Sequence, residues 1–286
     1  MDIGLLKTFL EVNRTRHFGQ AAENLFLTQS AVSARIRLLE ETVGVPLFTR
    51  TRNNIELTPA GQKLLKYADS ILVTWNRARQ DIAIEDSDQI PFAIGGVPSL
   101  WDILLQDWLN TISKSEPNLS IHAEVQTSEV LVKRLLEHTL DVAFLFESLQ
   151  MTELSVEQVG NVKLIMVAST PNLSADEAVR APDYMLVNWG TSFAIEHAKR
   201  FDDMPPPRLR FDLGRIAYHY LLNGGGSAYL AESMVSSELA SNKLFIVGDA
   251  PVIKRMCYAA YLPGADRIEI IQRVIQPILS DNNLVQ

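Results

Sequence analysis

The stretch FGQAAENLFLTQSAVSARIRLLEETVGVPLFTRTRNNIEL, Phe18 to Leu57, decides how the rest of the chain is read. Phe18, Ala21, Ala22 and Leu25 recur at i, i+3, i+4 and i+7. That spacing predicts a short helix with one apolar stripe, and its small residues let a second helix cross closely. Thr28 is a fitting N-cap for the next helix, Val32, Ile36, Leu39 and Val43 form its buried stripe, and Gly44 suits its C-terminal stop. Ser30, Ser33 and Arg37 then point the other way. Two short helices joined by a tight turn, the second with an exposed face of small polar and basic residues, describe a helix-turn-helix whose second helix enters a major groove. Gln29 can pair bidentately with adenine, Ser30 and Ser33 can bond base edges or phosphates, and Arg37 can read guanine or hold a phosphate. After this helix, LFTRTRNNIEL has two short extended pieces around Asn53 and Asn54, a hairpin that places Arg50 and Arg52 on a wing.

Eighteen positions carry a resemblance to a known family: Ala21, Ala22, Leu25, Thr28, Gln29, Ala31, Ser33, Ile36, Leu39, Glu40, Gly44, Leu47, Phe48, Arg50, Leu57, Thr58, Ala60 and Gly61. In this spacing they resemble the N-terminal signature of LysR-type transcriptional regulators. The resemblance implies an α+β winged helix-turn-helix with a long linker helix, followed by an α/β two-lobed domain like that of periplasmic binding proteins. The corresponding segments are residues 1–58 for the DNA-binding domain, 59–90 for the linker helix and hinge, and 91–286 for the regulatory domain. It implies as partners a double-stranded DNA operator, a small-molecule effector, further copies of the chain in a homodimer or homotetramer, and RNA polymerase. It also places Thr28 and Arg35 among the DNA-binding residues. One departure is Ala34, where many members carry arginine, so Arg35 and Arg37 are expected to distribute those contacts differently. Within the family, the segments LLKTFLEVNRTRHFGQAAENLFLTQSAVSARIR and LFTRTRNNIELT are most similar to a repressor of the flagellar master operon, which makes flagellar genes an expected target.

A formal net charge of −8 argues at first against a nucleic-acid partner, but the charge is unevenly spread. Residues 1 to 82 hold eleven Lys or Arg and eight Asp or Glu, net +3, which leaves fifteen against twenty-six, net −11, for the other 204. The basic end is the helix-turn-helix end. Because +3 is modest, tight binding is expected to need two copies, each adding phosphate contacts. No apolar run approaches the roughly 18 residues of a membrane span and no leader pattern opens the chain, so the expected location is cytoplasmic. The single Cys257 lies in the apolar run MCYAAYL, where core packing is expected, and no metal or cofactor is expected.

Taken in order, Leu6, Phe9 and Leu10 predict a scaffold helix, and Arg14, Arg16 and His17 a loop after it. Thr58 followed by Pro59 starts a long helix to about Ile84. Leu64, Ala68, Ile71, Trp75, Ala78 and Ile82 alternate steps of four and three along it, the seam of a two-stranded coiled coil. EDSDQ, residues 85–89, reads as a hinge. From Pro91 onward strands alternate with helices, which predicts a parallel α/β layout. Ligands of such a layout sit at strand C-terminal ends, where helix N-termini present free N–H groups. Ser99 and Trp101, Thr127 and Ser128, and Thr191, Ser192 and Phe193 follow three such strands, and Phe146 and Tyr229 add apolar walls. By the resemblance these positions correspond to the family's effector cleft. None of these segments contains arginine or lysine, so a strongly anionic effector is not expected.

No catalytic residue is expected. The chain has no GxSxG, HExxH, P-loop or GxGxxG, and Gly224-Gly225-Gly226 reads as a turn. The expected function is a DNA-binding regulator modulated by a small molecule. The alternative is an effector-independent architectural protein whose second domain only oligomerises.

Overall fold

The computed structural model describes residues 2–51, 54–83 and 89–280. Its chain divides into two compact units, one of residues 1–88 with 137–139 and one of residues 89–136 with 140–286. Arg52 and Asn53 of the wing, and most of the stretch read as a hinge, lie outside the described residues.

The first unit is a three-helix head with a hairpin and a long helix. Helices α1 (Ile3–Thr15), α2 (Phe18–Asn24) and α3 (Gln29–Val43) precede strands β1 (Phe48–Thr51) and β2 (Asn54–Leu57), and α4 (Pro59–Ala83) follows. Each of the first three helices starts on a side-chain cap. Asp2 accepts from the Gly4 amide at 2.7 Å, His17 Nδ1 from the Gln20 amide at 3.1 Å, and Thr28 Oγ1 from the Ala31 amide at 3.2 Å. Gly44 closes α3 in the left-handed region, φ 80°, where a side chain would be strained. The core joins Leu6, Phe9 and Val12 of α1 to Ala21 and Ala22 of α2 and Val32, Ile36 and Leu39 of α3. Val43 does not complete the expected stripe: at the last position of α3 it is 44% exposed, because the helix ends before its next turn could meet the core. Glu40 ties the wing to α3, its Oε1 accepting from the Leu47 amide at 2.8 Å and the Phe48 amide at 3.2 Å.

The second unit opens with β3 (Ile90–Gly96), a single helical turn α5 (Pro98–Leu100), a π-helical turn (Trp101–Leu105) and α6 (Gln106–Ser115). There follow β4 (Leu119–Val125), α7 (Ser128–Leu136), β5 (Val142–Leu145), β6 (Ser155–Ala168), α8 (Ala175–Arg180), β7 (Tyr184–Val187), α9 (Thr191–Arg200) and β8 (Leu209–Phe211). The rest is α10 (Gly214–Gly224), β9 (Ser227–Ala231), α11 (Glu232–Ala240), β10 (Phe245–Ile246), β11 (Ile253–Tyr261) and α12 (Ile268–Ser280). Among the described residues these strands form one curled sheet in the order β4-β3-β5-β11-β6-β9-β7-β8, with β10 paired to β6.

Two parallel groups, β4-β3-β5 and β9-β7-β8, make two lobes. The expected all-parallel layout fails between them. Strands β6 and β11 pair antiparallel with each other, β11 pairs antiparallel with β5, and β6 with β9. Buried strands read as apolar runs in either direction, so the sequence pattern does not encode this reversal. The register of β11 shifts between Cys257 and Tyr258, close to where its pairing with β5 begins. Among the described residues no helix is long and apolar enough to cross a membrane.

Candidate functional site

On the head, α3 turns Gln29, Ser30 and Arg37 to solvent, with Ser33 half-buried between them. The first turn of α3 has no acidic residue, so its positive dipole end is left available to phosphate. The Thr28 hydroxyl is occupied as the cap and lies 3.0 Å from Ser30 Oγ, so Thr28 shapes this end of the helix. Arg35 departs from the expected DNA face. It is half-buried, and its Nη1 lies 3.5 Å from Thr8 Oγ1 on α1, because two residues beyond Ser33 a helix has turned to its far side. On the wing, Arg50 stands opposite Ile55 in the β1–β2 register. Of the residues expected in the loop before α2, Arg14 lies in the last turn of α1 and Arg16 is its C-cap, and both brace the head. Arg14 pairs with Glu11 at 2.5 Å, and Arg16 Nη1 donates to the Ile55 carbonyl at 3.4 Å.

The seam on α4 is divided. Leu64, Ala68 and Ile71 pack on the head's own core, and the apolar residues that do so end at Leu72. Trp75 and Ile82 stand outward, 46% and 66% exposed. The second half of the expected seam is therefore its more exposed part, while Leu64 and Ile71 are half-buried against the head.

In the second unit, several expected residues meet around one that was not expected. Ser128 Oγ donates to Glu147 Oε2 at 3.2 Å, and Glu147 Oε1 lies 3.6 Å from Arg255 Nη2. The Arg255 guanidinium sits 4.6 Å above the centre of the Phe146 ring. Its other side faces the turn between β7 and α9, where a methyl group on Gly190 would come within 2.5 Å of Nη1. Phe146 of one lobe, Ser128 through Glu147, and Gly190 at the start of α9 in the other lobe thus lie around Arg255 on the crossing strand β11. Thr191 and Ser192 are exposed and open α9 without a side-chain cap. The Glu129 carboxyl is held below its usual range first by its own backbone amide and then by a hydrogen bond with Thr127, which is also exposed. Ser99 is half-buried in α5, and the Trp101 indole N–H donates to the Glu124 carbonyl at 2.9 Å.

Phe193 and Tyr229 do not form the expected wall, since both are buried in an aromatic cluster inside the lobe. Their rings meet edge to face at 5.5 Å, and the Tyr229 O–H donates to the Pro251 carbonyl at 3.0 Å. His197 completes the cluster. Burial holds its imidazole down at about 4, so it is neutral near pH 7, and its Nε2 shares a hydrogen bond with the Tyr184 hydroxyl at 2.6 Å whose direction follows the ring tautomer. Phe193 is the third residue of α9, which turns it inward, whereas Thr191 and Ser192 face out.

A second contact joins the lobes. Arg215 at the start of α10 donates to the Asp102 carbonyl at 3.3 Å, and its Nε lies 3.9 Å from Asp102 Oδ1. These residues border a cavity of about 270 Å³ that Gln106, Ser233 and Met234 also line. Desolvation raises the Asp102 carboxyl, against the opposing pull of Arg215. Asp102 lies in the π-helical turn, a local widening frequent at functional sites.

Arg255 and Glu147 are the groups that sequence reasoning missed, and a signal for the first was present. Ile253, Arg255 and Cys257 alternate on the buried face of β11, which puts a charge where a strand of period two should be apolar.

A winged head on a long helix, joined to a two-lobed domain whose lobes share crossing strands, defines a one-component DNA-binding regulator. The chain belongs to the LysR family: residues 3–62 match the bacterial regulatory helix-turn-helix of that family, and residues 86–281 match the LysR substrate binding domain. It is 37% identical over 295 residues to the HTH-type transcriptional regulator HdfR of Yersinia enterocolitica, covering 100% of this chain and 98% of that one. The HdfR protein of Yersinia pestis is also 37% identical, over 296 residues. Among solved structures, full-length CbnR complexed with its target DNA superposes with a TM-score of 0.76 at 18% identity, covering 97% of this chain and 99% of that one. Full-length LysG from Corynebacterium glutamicum with bound effector Arg gives 0.54 at 17% identity over 100% of both chains.

Proposed function

We propose that two copies of this regulator join through the outward side of the second half of α4 and present two α3 helices to one operator. Gln29, Ser30, Ser33 and Arg37 reach base edges or flanking phosphates, and Arg50 and Arg52 of the wing hold the backbone. A small molecule held between the lobes near Ser99, Ser128, Phe146, Thr191 and Ser192 changes how the pair meets its DNA, acting through the difference in its affinity for two arrangements. The observation that carries this reading is the outward face of α3. It is small, polar and basic on a separately packed head, in the +3 part of a chain whose remainder is −11. The CbnR structure holds target DNA and the LysG structure an effector, which supports the same division of labour here. The site of action is the cytoplasm, and the resemblance to a flagellar repressor makes flagellar promoters the first operators to try.

The test is retention of sheared genomic DNA by the full-length protein near physiological salt, followed by sequencing. Retained fragments are expected to share a motif of two half-sites related by two-fold symmetry. Retention of DNA without any shared motif would overturn sequence-specific regulation, because phosphate contacts alone produce that pattern.

A further inference from the structure

The turn between α2 and α3 contains a residue that the fold does not explain. Phe26 lies in the left-handed region at φ 55° and is 96% exposed. The conformation belongs to the turn. The Phe26 amide donates to the Glu23 carbonyl at 3.1 Å and the Leu27 amide to the Ala22 carbonyl at 2.9 Å, the paired bonds of a Schellman stop. Such a stop needs a positive φ at the residue after the C-cap, here Leu25, and there glycine fits freely while a bulky side chain crowds its own backbone. Among the described residues the other non-glycine positions with positive φ are Arg16, His138, Asn172 and Asn242, all polar. The ring also contributes no packing. Leu25 and Leu27 on either side pack against the head core and leave Phe26 outward.

Position decides what the ring can meet. Phe26 is two residues before Thr28, the cap of α3, and three before Gln29, and Thr28, Gln29 and Ser30 are exposed with it. The turn therefore accompanies the N-terminal end of the helix that enters the groove, the end from which base edges are reached. A single ring among polar side chains is too small a patch for a protein interface. It is large enough for one apolar group. The major groove displays one, the C5-methyl of thymine, which an aromatic side chain can cover.

We infer that Phe26 is a further base-reading residue, its ring packed on a thymine methyl beside the base that Gln29 reads. The inference rests on the reading of α3 as the recognition helix. It accounts for the strain and the exposure together, because a crowded backbone and a wet ring weaken the free protein and find their use only on DNA. The phosphate backbone carries no such methyl, so the contact contributes to sequence preference and not to binding of DNA in general.

The test uses the full-length protein and a genomic fragment that it selects, prepared with deoxyuridine in place of each thymidine in turn. Uracil differs from thymine only by the methyl, and a buried methyl is worth about fourfold in affinity. At one thymine in each half-site the exchange is expected to weaken the parent about fourfold and Phe26→Gly not at all. Phe26→Gly should bind the unmodified fragment about 10-fold more weakly, bind random DNA nearly as the parent does, and melt at or above the parent because glycine relieves the turn. Phe26→Asn, which also tolerates positive φ, should lose as much, so that the ring and not the stiffness of the turn is responsible. A methyl effect that persists in both variants, or one found at no thymine, would overturn the inference. Equal losses on operator and random DNA would overturn it as well. Operator binding unchanged in both variants, with Gln29→Ala still impaired on the operator alone, would keep α3 as the reading helix and leave the ring to a protein partner. No loss of discrimination in any of the three would overturn the reading of α3 too. A fall of several degrees in the melting of both Phe26 variants would show that the ring is part of the fold.

Discussion

Replacing Trp75 and Ile82 together by glutamate is expected to leave the protein monomeric in sedimentation and to lower operator affinity by about 10²- to 10⁴-fold. The size follows from what pairing supplies. A head whose partner is already bound meets its half-site at a high effective concentration, and that gain disappears when the chains separate. The +3 balance of residues 1 to 82 gives one head few phosphate contacts of its own. Position decides the choice of residues. Leu64, Ala68 and Ile71 also support the head, so a charge there would damage the fold together with the pairing. Trp75 and Ile82 are outward, and a glutamate at either is harmless in a single chain. Buried against a partner without a counter-ion it costs several kcal/mol. An unchanged sedimentation profile would place the interface elsewhere.

Gln29→Ala is expected to lower affinity for the operator by about 10- to 100-fold while leaving binding to random DNA nearly unchanged. A bidentate pair between an amide side chain and a base is worth about 1 to 3 kcal/mol of discrimination, and the alanine removes it without touching charge. Gln29 is the first residue of α3, exposed beside the Thr28 cap, so the substitution disturbs no packing. Arg50→Ala provides the contrast. It should weaken specific and random DNA alike and reduce the salt slope by about one. Competitive titrations at two salt concentrations separate the two behaviours. Equal losses on both DNAs for Gln29→Ala would mean that another element reads the bases.

The head was legible because its signals are local. A cap at Thr28, a stop at Gly44 and a stripe at Val32, Ile36 and Leu39 all act within one helix, and the structure has each of them. Val43 and Arg35 were misread for a reason of the same scale. Helical spacing says which residues share a face but neither where the helix ends nor which neighbour covers its far side: Val43 is the last residue of α3, and Arg35 meets α1. Heptad spacing presents the seam on α4 as one surface, whereas Leu64, Ala68 and Ile71 of its first half pack against the head. Beyond Pro91 the alternation of strands and helices was legible and the direction of β6 and β11 was not. The cleft suffered most from this. The hydroxyls proposed for it follow parallel strands, a position visible in the sequence, whereas Arg255 arrives on an antiparallel strand from 64 residues beyond Thr191. Phe193 was assigned by its neighbours Thr191 and Ser192, yet a helix turns consecutive side chains apart, and the third one faces the core.

In the proposed assembly two α3 helices, held by paired α4 helices, read one operator together. Hydroxyl-radical footprinting of a fragment selected by the full-length protein tests it most directly. Two protected tracts are expected on the same face of the duplex, their centres separated by a whole multiple of about 10 base pairs, lost together in the Trp75→Glu, Ile82→Glu variant. A single protected tract, or two that persist unchanged in that variant, would contradict it.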